Sequence, residues 1–332
     1  MGGSIPGFLY RQLTFCPKAL PTSVNLEGQT AIITGSNVGL GLEAAKQLTA
    51  RGLSHLILAV RTVSKGEAAK EEILCDNPSS TCTIEVWELD QESFDSVRAF
   101  GERAQALQKL DLVILSAGVK LLEYKRAKTG HEMNVQINHL GTSLLSLLLL
   151  PALQKTAATQ GTPSRLTIVT SEMHFWSKFP EKDSPNTLSR LDDPDSFKPG
   201  MDRYNTSKLL NVLWLRELSK RAGPDIVVNG VNPGLCASEL HRSDSTPGKK
   251  VFNGVVAWSL AQGGHCLVDA VVMHEGERGA YVSEQVVKRP SSFVLSEEGE
   301  KAQIKLWDET VALLKEAGVP DVDLLGGVAQ VA

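Results

Sequence analysis

Thr34-Gly35-Ser36-Asn37-Val38-Gly39-Leu40-Gly41 lies between an apolar run, Thr30-Ala31-Ile32-Ile33-Thr34, and a helical pattern from Leu40 to Arg51. Glycines at such a junction let the backbone approach a pyrophosphate. The helix that follows offers that anion free N–H groups and the positive end of its dipole. A turn after a strand, before a helix and at the head of a βαβ unit predicts dinucleotide binding rather than an ordinary loop. Gly35, Asn37, Gly39, Leu40 and Gly41 are its expected phosphate-side contacts.

Outward from the turn, short apolar runs alternate with helical patterns. The strand candidates are 55–60, 83–88, 112–115, 166–169 and 226–231. The helical candidates are 65–74, 92–108, 132–155 and 204–221. Strands rich in Ile, Leu and Val and separated by helices are buried on both faces, which implies right-handed crossovers and a mostly parallel sheet. With no linker or repeat, the expectation is one doubly wound α/β domain of Rossmann type, helices on both faces, over 29–325. Residues 1–28 read as an extension with Pro6, Pro17 and Pro21 and no clear period. Long polar stretches near 172–202 and 239–257 read as substrate-loop insertions, the second a loop through Asn253 followed by a helical run to His274. A late strand is expected at Ser292-Phe293-Val294-Leu295, with a last helix ending near Gly318.

Composition narrows the function classes. A net charge of −4 with 22% charged residues calls for neither nucleic acid nor an anionic surface as partner. The five cysteines form no C-x-x-C pair, so free thiols in a reducing, cytoplasmic setting are expected rather than disulfides or zinc. The seven histidines show no H-E-x-x-H, and no metal site is expected. His139 and His174 read as packing or substrate-contact residues. The apolar run 144–153 holds Ser146 and Pro151 and is far short of the roughly 20 residues of a span, so a buried helix is expected. The amino end lacks the pattern of a signal peptide, and Pro6 stands where myristoylation wants Ser or Thr. The Phe8-Leu9-Tyr10 cluster is expected to pack on the body, with peripheral membrane contact as the other reading.

The end of the second strand bears on the choice of nucleotide. An acid there would bind a ribose 2′-OH, whereas Arg favours a 2′-phosphate. The sequence has Val60-Arg61 and no acid, with Lys65 close behind; NADP(H) is therefore favoured over NAD(H). Further on, Tyr204 and Lys208 stand four residues apart, on one face if helical. A nearby cation favours a phenolate, which suits proton exchange with a carbonyl or alcohol oxygen. Ser171 closes the fifth strand at the carboxyl edge of the sheet, where active-site groups of open α/β folds gather. Asn138 lies in the long helix before it.

The order of glycine turn, Asn138, Ser171, Tyr204 and Lys208, with Asn232-Pro233-Gly234 after the sixth strand, resembles the classical short-chain dehydrogenases/reductases over about residues 28–240. The spacing T-G-x-x-x-G-x-G is theirs. The resemblance implies that Tyr204 is the acid/base and that Lys208 lowers its pKa and binds the nicotinamide ribose. It implies that Ser171 orients the substrate oxygen and Asn138 holds a relay water. Asp90 and Gly118 would lie at the adenosine half, and Pro233, Gly234 and Ser238 beside the nicotinamide. Asp90 also reads as a helix N-cap, and Asn138 as a buried residue bonded to backbone. Ser116-Ala117-Gly118 departs from the usual Asn-Ala-Gly, and the gap from Ser171 to Tyr204 is long. The phrases Ile57-Leu58-Ala59-Val60-Arg61, the 172–202 insertion and Leu306-Trp307-Asp308 resemble the retinol-dehydrogenase-like branch, fungal secondary-metabolite members above all.

The resemblance implies an oxidoreductase acting on a small-molecule carbonyl or alcohol. Phe175, Trp176 and Trp258 suggest an apolar pocket. It also implies a homodimer or homotetramer paired through the helices at 92–108 and 132–155. No G-x-S-x-G elbow surrounds Ser171, which argues against a hydrolase. The competing class is an NADP-binding scaffold or sensor without turnover, which would not need Tyr204 and Lys208 together. Redox-assisted dehydration or isomerisation is the other chemistry the same residues allow.

Overall fold

The computed structural model describes residues 3–238, 240 and 249–317. Eight strands form one sheet in the order β3-β2-β1-β4-β5-β6-β7-β8. They are β1 (Thr30–Thr34), β2 (His55–Val60), β3 (Thr83–Glu88), β4 (Leu112–Leu115), β5 (Ser164–Val169), β6 (Ile226–Asn232), β7 (Tyr281–Ser283) and β8 (Val286–Lys288). All neighbours pair in parallel except β7 and β8. Strand order reverses between β1 and β4, and a crevice opens beyond their carboxyl ends at such a switch point.

The sheet separates two cores, and alternation along each strand feeds both. Ile32 and Val113 pack with α4 (Phe94–Gln105), α6 (Thr142–Gln160), α8 (Asp202–Arg221) and α11 (Glu297–Glu316). Ala31, Ile33, Leu112 and Ile114 pack on the other face with α2 (Gly39–Thr49), α3 (Val63–Asp76) and α10 (Leu260–Val272). The sequence reading of a doubly wound, mostly parallel sheet with helices on both faces is the architecture found.

The long helical run begins as α5 (Met133–Val135), passes through a π-helical turn (Gln136–Gly141) and continues as α6 to Gln160. It is long and apolar enough to cross a membrane, yet 89% of its most apolar window is buried inside the protein. Its exposed positions are Gln154, Lys155, Ala158, Thr159 and Gln160, and α4 turns Asp95, Glu102 and Arg103 outward. On the neighbouring α8, α11 covers the outer face. Trp307 stacks on Trp214 at 4.4 Å, and Thr310 meets the ring of the buried His139.

Four sequence readings need correction. The extension holds a helix, α1 (Ile5–Thr14), capped by Ser4 with Pro6 in its first turn. The 172–202 stretch is not irregular: it holds short 3-10 turns and α7 (Thr187–Asp192). The expected loop around 239–253 contains α9 (Lys249–Val256), while Glu239, residues 241–248 and Gly318 lie outside the described residues. Ser292–Leu295 is no strand but a turn into α11, whose N-cap is Ser296; the late strands are the β7–β8 hairpin.

Candidate active site

At the switch point, Gly35 takes a left-handed φ of 65°. A Cβ at Gly41 would stand 2.6 Å from the Gly35 carbonyl oxygen, so the turn and the first coil of α2 can approach this closely only without a side chain. The N-cap of α2, Val38, offers no side-chain bond to the helix. The first N–H groups of α2 thus have no side-chain acceptor of their own and face the crevice, as an anion site requires. Thr34 Oγ1 accepts from Ala117 N at 2.9 Å, which fixes the loop after β4 beside the glycine turn.

A cavity of about 500 Å³ runs from this turn to the catalytic candidates. Gly35, Asn37, Gly39, Leu40 and Gly41 line one end, with Arg61, Asp90 and Gly118. Ser171, Tyr204, Lys208, Pro233, Gly234 and Ser238 line the other. Lys65 does not reach it: α3 begins at Val63 and carries Lys65 outward on its exposed first turn. Asp90 is not the N-cap of α4, which is Ser93; its carboxylate instead accepts from Glu92 N.

Tyr204 and Lys208 lie on the first turns of α8, both buried, with the Lys208 ammonium 6.0 Å from the Tyr204 ring centre. Lys208 Nζ donates to the Val169 carbonyl at 2.9 Å, which fastens α8 to the end of β5. There the chain delivers Ser171, whose hydroxyl meets the Tyr204 phenol. Burial pushes the phenol up to about 12, against the pull of Ser171, and pushes the Lys208 ammonium down to about 8. Burial, rather than the cation, sets the direction for Tyr204 in the protein alone, opposite to the lowering that the sequence reading expected.

Asn138 sits in the π-helical turn, where one extra residue per turn swells the helix. Its amide donates to Val119 O and Ser207 Oγ, both at 2.9 Å, and accepts from Val119 N at 2.8 Å. The side chain is fully engaged behind the cavity wall, tying the β4 loop to α8. Its main-chain carbonyl accepts from Asn211 Nδ2 at 2.6 Å.

On the far wall, Asn232 Oδ1 accepts from Glu172 N at 3.1 Å and from Gly234 N at 3.2 Å, joining the residue after Ser171 to the Pro-Gly step. Gly234 has φ 76°, and a Cβ there would lie 2.4 Å from the Trp258 ring. Trp258 therefore supports this loop from beneath and does not line the cavity as expected. Phe175 does not either: it packs on His174 and Tyr281. Trp176 does. His174 accepts from Ser291 N on Nε2 and donates from Nδ1 to Ser171 O, and burial holds it down at about 4, so it is a neutral packing residue. The sequence reading gave no site role to Thr34, Asn232, Glu172 or Phe8, although Thr34 and Asn232 both stood in quoted motifs.

The arrangement can hold an anion at one end and exchange a proton with a substrate oxygen at the other. A family model described as short chain dehydrogenase matches residues 29–171. Short chain dehydrogenase sol3 of Alternaria solani is 61% identical over 87% of this chain and all of its own length. Short chain dehydrogenase/reductase mfmJ of Annulohypoxylon moriforme is 40% identical over 94% of this chain and 92% of its own. In shape, an uncharacterised protein of Mycobacterium Paratuberculosis superposes with TM-score 0.67 at 25% identity, covering 90% of this chain and 98% of its own. The RhlG/NADP complex of Pseudomonas aeruginosa superposes with TM-score 0.62 at 18% identity, over 80% of this chain and 97% of its own. With such relatives spanning nearly the whole chain, the protein belongs to the short-chain dehydrogenase/reductase family, oxidoreductases that act on CH–OH or C=O groups of small molecules with a nicotinamide cofactor.

Proposed function

We propose that the protein is an NADP(H)-dependent oxidoreductase that reduces a carbonyl, or oxidises the matching alcohol, on a hydrophobic small molecule in fungal secondary-metabolite biosynthesis. The observation that carries this reading is that one cavity joins the glycine turn and Arg61 to the Tyr204–Ser171 pair. Apolar side chains such as Leu121, Ile137, Met173 and Met201 line the same cavity, which favours an apolar substrate over a sugar or hydroxy acid. A binding scaffold without turnover would have no use for a buried phenol bonded to a serine beside a buried ammonium.

The bound nicotinamide would supply or accept the hydride. The chain's own residues do the rest. The uncapped start of α2 and Arg61 hold the phosphates, and Asp90 and Gly118 face the adenosine half. Pro233, Gly234 and Ser238 bound the nicotinamide end. Ser171 orients the substrate oxygen, and Tyr204 gives it a proton during reduction. Lys208 keeps its charge beside the phenol and reaches toward the ribose. Asn138 acts by position: it ties Val119 to Ser207, and so the cofactor side to the catalytic helix.

Fluorescence titration with NADPH and NADH tests the nucleotide choice. The wild type should bind NADPH more tightly. Arg61→Ala should weaken NADPH by roughly 10- to 100-fold, the worth of one charged hydrogen-bonding group, and leave NADH nearly unchanged. Arg61 is exposed, so the preference should shrink as salt rises. Equal affinities in the wild type would remove Arg61 from this role, and absence of binding to either nucleotide would remove the reading itself.

The pH profile gives a second check. With Tyr204 pushed up to about 12, the acid form persists through neutrality. Lys208, pushed down to about 8, loses its charge above that pH. For carbonyl reduction, kcat/KM should be level from about pH 6 to 7.5 and decline above about 8. A decline already complete by pH 7 would mean that the rate does not follow the charge on Lys208.

A further inference from the structure

The family match begins at residue 29, yet α1, which precedes it, reaches the active site at three points. Phe8 lines the cavity together with Trp176, the two rings meeting edge to face at 6.4 Å. Trp176 Nε1 donates to the Gly3 carbonyl at 2.8 Å, so the insertion after Ser171 holds the start of the extension as well.

One turn on, α1 is fastened to both walls. The Arg11 guanidinium pairs with the buried carboxylate of Glu172, next to Ser171, and stands 3.6 Å from Glu284 on the β7–β8 turn. The Gln12 amide pairs with the backbone of Leu235, next to Gly234, in both directions: it donates to Leu235 O at 2.7 Å and accepts from Leu235 N at 3.2 Å. Trp258, the support beneath Gly234, donates to Gln12 O at 2.9 Å. Gln12 is itself buried. A helix that merely covered the protein would not place a buried amide and a paired cation beside the residues that follow Ser171 and the Pro-Gly step.

We infer that α1 is a built part of the substrate site and that Phe8, seated by Gln12 and Arg11 against Trp176, selects flat, ring-bearing carbonyl compounds over small aliphatic ones. The inference rests on the carbonyl-oxidoreductase reading above and adds a specificity residue from outside the segment that the family model matches. Two aromatic rings set edge to face leave a flat surface for a third ring, and aromatic contacts add to simple burial. A small aliphatic ketone has no ring to set against Phe8 and Trp176.

The test uses the full-length protein with NADPH and two ketones, 2-tetralone and butanone. Phe8→Ala should lower kcat/KM for 2-tetralone by about tenfold, the usual scale for losing one apolar contact in a pocket. The value for butanone and the affinity for NADPH should stay within about twofold. Gln12→Ala, which unseats α1 but keeps the ring, should move the ratio of the two substrates the same way. Tyr10→Ala, on the exposed face of the same helix, should not move it. Phe8→Leu should fall between wild type and Phe8→Ala. An unchanged ratio in Phe8→Ala, or equal loss on both ketones, overturns the inference.

A readout that needs no turnover separates this inference from the reading it rests on. In the NADPH complex, 2-tetralone should slow amide hydrogen exchange across residues 5–14 in the wild type and not in Phe8→Ala. If neither ketone turns over but that protection appears, the carbonyl-reductase reading fails and the role of α1 stands. If the protection is missing, the role of α1 fails whatever the turnover.

Discussion

Replacing Tyr204 by Phe should lower turnover by roughly two to four orders of magnitude and leave NADPH affinity within about twofold. The substitution removes one oxygen from a residue that is 5% exposed and keeps the ring that fills the site. Its only cost to the fold is the hydrogen bond with Ser171, whose hydroxyl also accepts from Met173 N at 3.2 Å and so keeps a partner. Lys208 remains tied to Val169 O, so the nucleotide side of α8 stays in place. What disappears is the hydroxyl proposed to pass a proton to a substrate oxygen while Ser171 holds it. Single-turnover and steady-state rates, measured beside a nucleotide titration, would separate the two effects. Turnover near that of the wild type would show that another group delivers the proton. Loss of nucleotide binding as well would show that the ring, and not the hydroxyl, was the essential part.

How much of this was legible in the sequence depends on how local its cause is. The strands β1, β2 and β4 were readable to the residue, because strands buried on both faces are continuous apolar runs, and the edge strand β3 was readable from its β-branched and aromatic run, of which Ile84 and Trp87 are buried. The glycine turn and the Tyr204–Lys208 pair were readable because their spacing is the mechanism. The β7–β8 hairpin was not. Its strands are three residues long, and its turn uses Glu284 and Gln285 at φ 50° and 56° where glycine or asparagine would have signalled it. Ser292–Leu295 was misread because apolar side chains that plug the entrance to α11 look like a short strand. Lys65 was misplaced because sequence proximity to Arg61 says nothing about where the first turn of α3 points. The α1 helix carried a readable start, Ser4 followed by Pro6, but not its purpose. Its partners, Glu172 and Leu235, lie 161 and 223 residues away, and no local pattern encodes such a contact.

The other large effect expected is on stability, at Arg203, the residue before Tyr204. Its side chain is fully buried at 0% exposure. It bonds the Leu191 carbonyl and Ser196 Oγ, and it stands 3.5 Å from Glu181, itself 3% exposed. One guanidinium thus gathers three separate points of the 172–202 insertion onto the catalytic helix. A fork of donors suits this; an ammonium has neither the reach nor the geometry to serve a carbonyl, a hydroxyl and a carboxylate together. Arg203→Met keeps most of the volume but leaves the Glu181 carboxylate in the interior without its cation. Breaking a buried pair by removing one partner typically costs about 3–5 kcal/mol, far more than the pair contributes when both are exchanged for neutral groups. The unfolding midpoint in urea should fall accordingly, and Arg203→Lys should recover little of it. Adding Glu181→Gln to Arg203→Met should restore a large part, since the orphaned charge is then gone. In the single variant, kcat should fall as well while NADPH affinity holds, because the insertion that carries Met173 and Trp176 loses its anchor beside Tyr204. A cost below about 1 kcal/mol for Arg203→Met, or no recovery in the double variant, would mean that the insertion is held by its apolar contacts alone, through Phe179, Leu188 and Leu191 in the core.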